Sequence, residues 1–183
     1  MQVSIRKASL EDVPVLEELI RESVRTLQKN DYTAEQMEGA LGGVYGIDRQ
    51  LIRDGSYFVA EAGSEIAGCG GWSRRKSLFG SDSLPGKDDG WLDPAVDAAR
   101  IRAFFVHPGW ARQGIGSRIM RACESAARVM GFSRLELVAT LPGERLYLVH
   151  GFVAGERFAV PLPNGAELPV VRMTKTLAPT AGE

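Results

Sequence analysis

The sequence predicts a mixed α/β domain, a mostly antiparallel central sheet flanked by helices. Three observations lead there. The chain has 183 residues, the size of one domain with a core of its own. Its patterns run β-α-α-β-β-β-α-β-α-β-β, too short and too antiparallel at both ends for a doubly wound sheet. Gly63-Ser64 separates two strand-like runs, SYFVAEA and EIAGCGGW, as a hairpin turn does.

Val3–Arg6 reads as the opening strand. Ser9 then caps a helix whose Val13, Leu16, Ile20, Val24 and Leu27 recur at steps of three and four, with Asp12 in the capping-box position and Pro14 in the first turns. Thr33-Ala34-Glu35-Gln36 is a second capping box, before Met37 and Leu41; Gly42, Gly43 and Gly46 make that helix end ragged. Residues 56–62 and 65–72 form the hairpin. Residues 74–97, basic at first and then rich in Gly, Ser, Asp and Pro, read as a long connection. Ala98–Val106 is a strand. Ile115–Met130 is an amphipathic helix closed by Gly131. Strands follow over Leu135–Ala139, Phe152–Ala159 and Leu168–Thr176, with a short helix at Gly143–Val149 and a turn at Asn164-Gly165. From Leu177 onward the chain is expected to fray.

Hydrophobic residues make up 44% and charged residues 25%, proportions of a folded globular chain and not of a disordered one. Lys and Arg total 22 against 23 for Asp and Glu, net −1, which argues against a nucleic-acid partner. Two cysteines, Cys69 and Cys123, and two histidines, His107 and His150, make neither a disulfide framework nor a metal centre. The charged N-terminus is unlike a signal peptide, and no apolar run is long enough to span a bilayer. A soluble cytoplasmic protein with no membrane partner is the expectation.

The most informative segment is Val106-His107-Pro108-Gly109-Trp110-Ala111-Arg112-Gln113-Gly114-Ile115-Gly116-Ser117. A strand delivers the chain to a turn, glycines strip away side chains, and a helix begins at once. Its first N–H groups lack internal partners and its dipole favours negative charge, so a phosphate or pyrophosphate is the natural ligand. The bland alternative is a tight strand–helix turn. The P-loop pattern is absent, and the dinucleotide pattern fails because Ile119 stands where a third small residue belongs.

Over Ile101–Phe152 the runs FFVHPGWARQGIGSRI, MGF, LVAT and ERLYLVHGF resemble the GNAT superfamily of acyl-CoA-dependent N-acetyltransferases, and the likeness extends over almost the whole chain. The resemblance implies one domain over residues 1–177 with a tail at 178–183, and a sheet with a splayed strand pair. It implies acetyl-CoA as co-substrate, no metal, and an amine acceptor that is a small molecule or a peptide. A homodimer is the assembly frequent among such proteins. Carried over by position, Phe104, Phe105 and Val106 hold the pantetheine arm by strand-like hydrogen bonds. Ala111, Arg112, Gln113, Gly114, Ile115, Gly116 and Ser117 wrap the pyrophosphate. Ala111 stands where the family's [QR]-x-x-G-x-[GA] pattern carries Gln or Arg, and Arg112 is placed to supply that charge. Thr140 replaces an Asn common near the pantetheine. Tyr147, in Y-x-x-x-G-F, is the implied acid toward the departing thiolate; its structural alternative is a ring packed on the core.

No acid lies in Ile101–Val106, so the base is open among Glu136, Glu61, Asp97 and Glu22, or a water relay. His107 reads as a cap or surface residue, His150 as a solvated helix end, and both cysteines as packing residues. Trp72, Trp91, Tyr32 and Tyr45 are candidate acceptor-pocket aromatics. Asp82, Asp88, Asp89 and Asp93 either attract a cationic amine or are simply solvated; Arg74-Arg75-Lys76 either meets the coenzyme's adenosine phosphate or keeps a strand edge soluble. The activity implied is acetyl transfer to a primary amine by direct attack in a ternary complex. A non-catalytic acyl-CoA sensor is the alternative, distinguished by coenzyme binding without acetylated product.

Overall fold

The computed structural model describes residues 2–179. Seven strands form one sheet: β1 (Val3–Lys7), β2 (Tyr57–Ala62), β3 (Glu65–Ser73), β4 (Ala99–Val106), β5 (Arg134–Thr140), β6 (Val153–Pro161) and β7 (Glu167–Thr176). They lie in the order β1-β2-β3-β4-β5-β7-β6. All neighbours are antiparallel except β4 and β5. That single parallel pair needs a crossover, and α4 (Ile115–Val129) supplies it.

Helices cover both faces. On one lie α1 (Val13–Leu27), α2 (Ala34–Ala40) and α3 (Arg49–Arg53), closing a core around Leu16, Ile20, Val24, Leu51, Val59 and Leu168. On the other lie α4 and α5 (Glu144–Val149), over Ile115, Ile119, Met120, Leu135, Leu137 and Met173. Thr33 caps α2 as read, whereas Ser9 caps a 3-10 turn over Leu10–Asp12 that runs into α1. The Ser9 N–H donates to Asp12 Oδ2 at 2.7 Å, and Thr33 and Gln36 exchange bonds at 2.9 and 3.1 Å. Gly131, at φ 89°, ends α4.

Two further expectations need correction. Helix α3 stands where no element was expected: RQLIR has too few residues to show a period, and its start rests on Asp48, whose Oδ1 accepts from Gln50 N at 3.0 Å. Leu177 does not fray. It is buried, and its N–H donates to Ser133 O at 2.8 Å. Of the tail at 178–183, residues 180–183 lie outside the described residues.

One irregularity shapes the site. The β3–β4 register shifts between Cys69 and Gly71, and Ala103 takes a left-handed φ of 55°. This is a bulge, so Arg102 and Ala103 follow one another on the α1 face, while Phe104 and Val106 turn to the α4 face. Gly70 permits it: a Cβ there would come within 2.6 Å of the Phe104 ring.

Candidate active site

Strands β4 and β5 share a ladder only at Ala99–Leu135 and Arg100–Glu136. Beyond that they part, because β5 stays in register with β7 as far as Thr140–Val170 while β4 follows β3. Backbone groups along the opening lose a sheet partner and need another. A cavity of about 250 Å³ fills the gap. Its walls come from both faces of the sheet: Phe104, Val106 and Tyr147 on the α4 side, Tyr45, Phe79 and Val160 on the α1 side.

The glycine segment leads into α4 beside this cavity. His107 caps one turn of 3-10 helix over Pro108–Trp110, its Nδ1 accepting from Gly109 N at 3.1 Å. Arg112 and Gly114 then take left-handed φ of 61° and 78°, bending the chain sharply into the helix. Glycine meets that demand freely; at Arg112 it is strain of about 1 kcal/mol or more. A Cβ on Gly116 would come within 2.9 Å of Leu146 Cδ2, so glycine keeps this part of the wall open. Ala111, Arg112, Gln113 and Gly114 form the turn, and the Ile115 side chain is buried in the core, leaving its backbone at the helix start. Ser117 Oγ pairs with His150 Nε2 at 2.9 Å. His150 is therefore not a solvated helix end: burial lowers its pKa, and it ties α5 to the first turn of α4.

Of the residues singled out from sequence, Phe104, Phe105, Val106, Gly116, Thr140 and Tyr147 meet at the cavity; of residues 111–117 only Gly116 lines it, Ala111, Arg112, Gln113, Gly114 and Ile115 preceding that glycine and Ser117 following it along the chain. The Tyr147 ring packs edge-on against Phe104 and Phe152, with centroids 6.2 and 5.8 Å away. No hydrogen bond among the described residues involves its hydroxyl, and burial pushes its pKa well up, so it is a neutral O–H at neutral pH. Thr140 Oγ1 accepts from Gly143 N at 3.2 Å, which holds the turn before α5.

The Acetyltransferase (GNAT) family model matches residues 19–152, most of the chain. The chain belongs to the GNAT acetyltransferase family. Solved structures agree on the fold. A GCN5-related N-acetyltransferase from Rhodopseudomonas palustris aligns with TM-score 0.71 at 22% identity, covering 97% of each chain. The PaiA N-acetyltransferase of Thermoplasma acidophilum, in complex with coenzyme A, gives 0.65 at 17%, covering 96% of this chain and 99% of its own. YncA of Salmonella typhimurium, a putative acetyltransferase with acetyl-CoA, gives 0.63 at 18%, covering 100% of this chain and 98% of its own. No curated protein matches the sequence.

In this GNAT protein none of the four candidate bases lines the cavity. Glu136 is held between Arg100 and Arg172. Glu61 pairs with Arg6 at 2.7 Å, Glu22 with His107 at 2.9 Å, and Asp97 accepts from Asp93 N at 2.8 Å. Three of the four loop acids are also engaged locally: Asp82 with Arg49, Asp88 with Lys76 and Gly90 N, Asp93 with Ala95 N; Asp89 does not line the cavity either. Of the four aromatics only Tyr45 lines the cavity. Trp72 lies in the α4 core, Tyr32 bridges Pro169 O and Leu141 N, and Trp91 lies under Arg74 and Arg75. Arg75 is paired with Asp54 at 2.7 Å, so the basic trio serves the connection and not the glycine turn. Burial raises both thiols, Cys69 to about 12, which leaves them unreactive.

Sequence reasoning missed Gln28 and Phe79, which line the cavity from the end of α1 and from the 74–97 connection. Neither carries a local signal. Among the described residues no His, Cys, Asp and Glu side chains gather as a metal-ligand set, and no helix is long and apolar enough to cross a membrane.

Proposed function

We propose that this protein transfers the acetyl group of acetyl-CoA to a primary amine by direct attack in a ternary complex. The observation that carries the reading is the parted β4–β5 pair, whose cavity runs from Gly116 and Tyr147 on one face of the sheet to Tyr45 on the other. A two-sided cavity lets co-substrate and acceptor meet from opposite faces. The coenzyme in the Thermoplasma neighbour and the acetyl-CoA in the Salmonella one support that assignment.

The residues present suit such a co-substrate. Phe104, Phe105 and Val106 offer strand backbone to the amides of a pantetheine arm. The turn of Arg112, Gln113 and Gly114, with the first N–H groups of α4 at Ile115, Gly116 and Ser117, offers unpaired donors and a positive helix end to a pyrophosphate, while Ala111, whose own N–H is given to Pro108 O at 3.2 Å, sets the start of the turn. Thr140 presents a hydroxyl at the mouth of the gap. Acetyl-CoA supplies an activated acyl carbon and a sulfur that leaves as a thiolate.

Tyr147 keeps its proton, since its raised pKa lies above that of an ordinary thiol at about 8.5. Its role is to donate a hydrogen bond to the sulfur as the C–S bond breaks and the N–C bond forms. The proton that the nitrogen sheds ends on the thiolate through water. Among the described residues no carboxylate lines the cavity to take a proton from the incoming ammonium. The uncharged walls do that work indirectly, because desolvation favours the neutral amine.

The test is release of free thiol from acetyl-CoA in the presence of an amine panel, with acetylated product identified by mass. Product with any amine supports the transferase. The uncharged cavity also suits a non-catalytic acyl-CoA sensor, which requires coenzyme binding with no product from any amine.

A further inference from the structure

We infer that the acceptor is a small monoamine carried on an apolar alkyl or arylalkyl body, bound on the α1 side of the cavity with Gln28 and Tyr45 as partners for its N–H groups. The inference rests on the proposed acetyl transfer and names the substrate class of the same site.

No Asp, Glu, Lys, Arg or His lines the cavity among the described residues. The α1 side is walled by Leu27, Val44, Phe79, Val160, Leu168 and Val170. Nearby charges are engaged. In the adjoining groove along α1, Arg21 pairs with Glu18, Arg25 with Glu38, and Arg49 with Asp82, at 2.7, 2.8 and 2.6 Å. Behind the Leu78–Gly80 wall, Arg102 and Lys87 share the single carboxylate of Asp48 at 3.0 and 2.5 Å, and Arg102 also donates to Gly80 O at 2.8 Å. With Asp48 held by both cations, that trio offers no free carboxylate to a second ammonium. A carboxylate on the acceptor would meet no cation in the cavity lining. Either group would be an unpaired buried charge, among the costliest things a pocket can hold.

Two polar atoms on cavity-lining residues are nonetheless buried without a partner. Gln28 Oε1 and the Tyr45 hydroxyl make no hydrogen bond, though the residues are only 7% and 3% exposed and both line the cavity. Gln28 and Tyr32 are both neighbours of the Tyr45 hydroxyl: Tyr32 is already committed to Pro169 O and Leu141 N, and Gln28 and Tyr45 face the same point without closing a hydrogen bond on each other. Buried polar groups are almost always satisfied, so these two point to a ligand with N–H groups. Both are neutral. They complement an amine without balancing any further charge.

The experiment compares kcat/KM at saturating acetyl-CoA for hexylamine and 2-phenylethylamine against spermidine, an aminoglycoside, lysine, glutamate and a short peptide with a free N-terminus. We expect the two apolar monoamines to lead by at least tenfold. Calorimetry with coenzyme A present should show binding of N-acetyl-2-phenylethylamine and none of N-acetylspermidine. Gln28→Leu and Tyr45→Phe should each raise the amine KM at least fivefold while acetyl-CoA affinity stays within twofold. Leu27→Glu, at a half-exposed position that tolerates charge, should raise the preference for 1,6-diaminohexane over hexylamine at least tenfold. A lead for spermidine, the aminoglycoside, an amino acid or the peptide overturns the inference, as does acetyl-CoA binding with neither monoamine acetylated; both leave coenzyme binding standing. Failure to bind acetyl-CoA overturns this inference and the transferase together.

Discussion

Replacing Tyr147 with Phe removes a hydroxyl and leaves the ring. The ring's edge-on contacts with Phe104 and Phe152 survive, and no hydrogen bond among the described residues is broken. Folding stability should therefore change by no more than about 0.5 kcal/mol. The catalytic effect is larger, because a hydrogen bond to a developing thiolate is one to a charged group, worth about 1.5–3 kcal/mol. At 1.36 kcal/mol per tenfold, kcat should fall by roughly 10- to 150-fold. The affinity for acetyl-CoA should stay within about twofold, since the interaction strengthens only as charge reaches the sulfur. The assay is single-turnover thiol release with a thiol-reactive chromophore, beside a calorimetric Kd for acetyl-CoA. A kcat within twofold of wild type refutes the hydrogen-bond role. A Kd weakened as much as kcat means the hydroxyl serves ground-state binding instead.

Other expectations concern pH and the supports of the site. With no carboxylate or imidazole among the described residues that line the cavity, log kcat/KM should rise with unit slope up to the acceptor's own pKa; a break that stays fixed between acceptors of different pKa contradicts this. Glu136→Gln should cost stability, by leaving Arg100 and Arg172 short of a counter-charge, while kcat stays within about threefold. Asp48→Ala strands Arg102 and Lys87 and should cost about 3–5 kcal/mol in urea unfolding; a loss under 1 kcal/mol refutes the bracing role. The Arg6 guanidinium draws the Asp12 carboxyl from 3.8 down to about 2, so its stabilisation is present above pH 3.8 and lost as pH falls toward 2. Arg6 is partly exposed, so screening limits that contribution to about 1 kcal/mol, or 2–4 °C of Tm, and Asp12→Asn should flatten the acid limb by that much.

Much of this was legible in the sequence because local rules acted without opposition. The strands carry their own alternation, and capping boxes at Ser9 and Thr33 set helix starts. Gly114 and Gly131 stand where φ is positive. Helix α3 escaped because five residues have no measurable period. Leu177 was misread because its burial depends on Ser133, far away in sequence. The site was half visible. The glycine turn and Tyr147 carry motifs, whereas Gln28, Tyr45 and Phe79 converge only when α1, the α2–α3 link and the 74–97 connection fold together. The acids of that connection misled for the opposite reason: composition shows a charge but not the partner that occupies it, such as Arg49 against Asp82.

The most direct test of acetyl-CoA binding in the β4–β5 gap is a thermal-shift titration of wild type and Gly116→Val. At 100 times Kd, a ligand selective for the folded state stabilises by about 2.7 kcal/mol, or roughly 5–10 °C for a domain of this size. The valine crowds Leu146 Cδ2, a flexible tip, so the unliganded variant should melt near wild type. Wild type is expected to shift with acetyl-CoA and the variant at least tenfold more weakly in concentration. No shift of wild type at millimolar acetyl-CoA, or equal shifts of both proteins, would contradict the account.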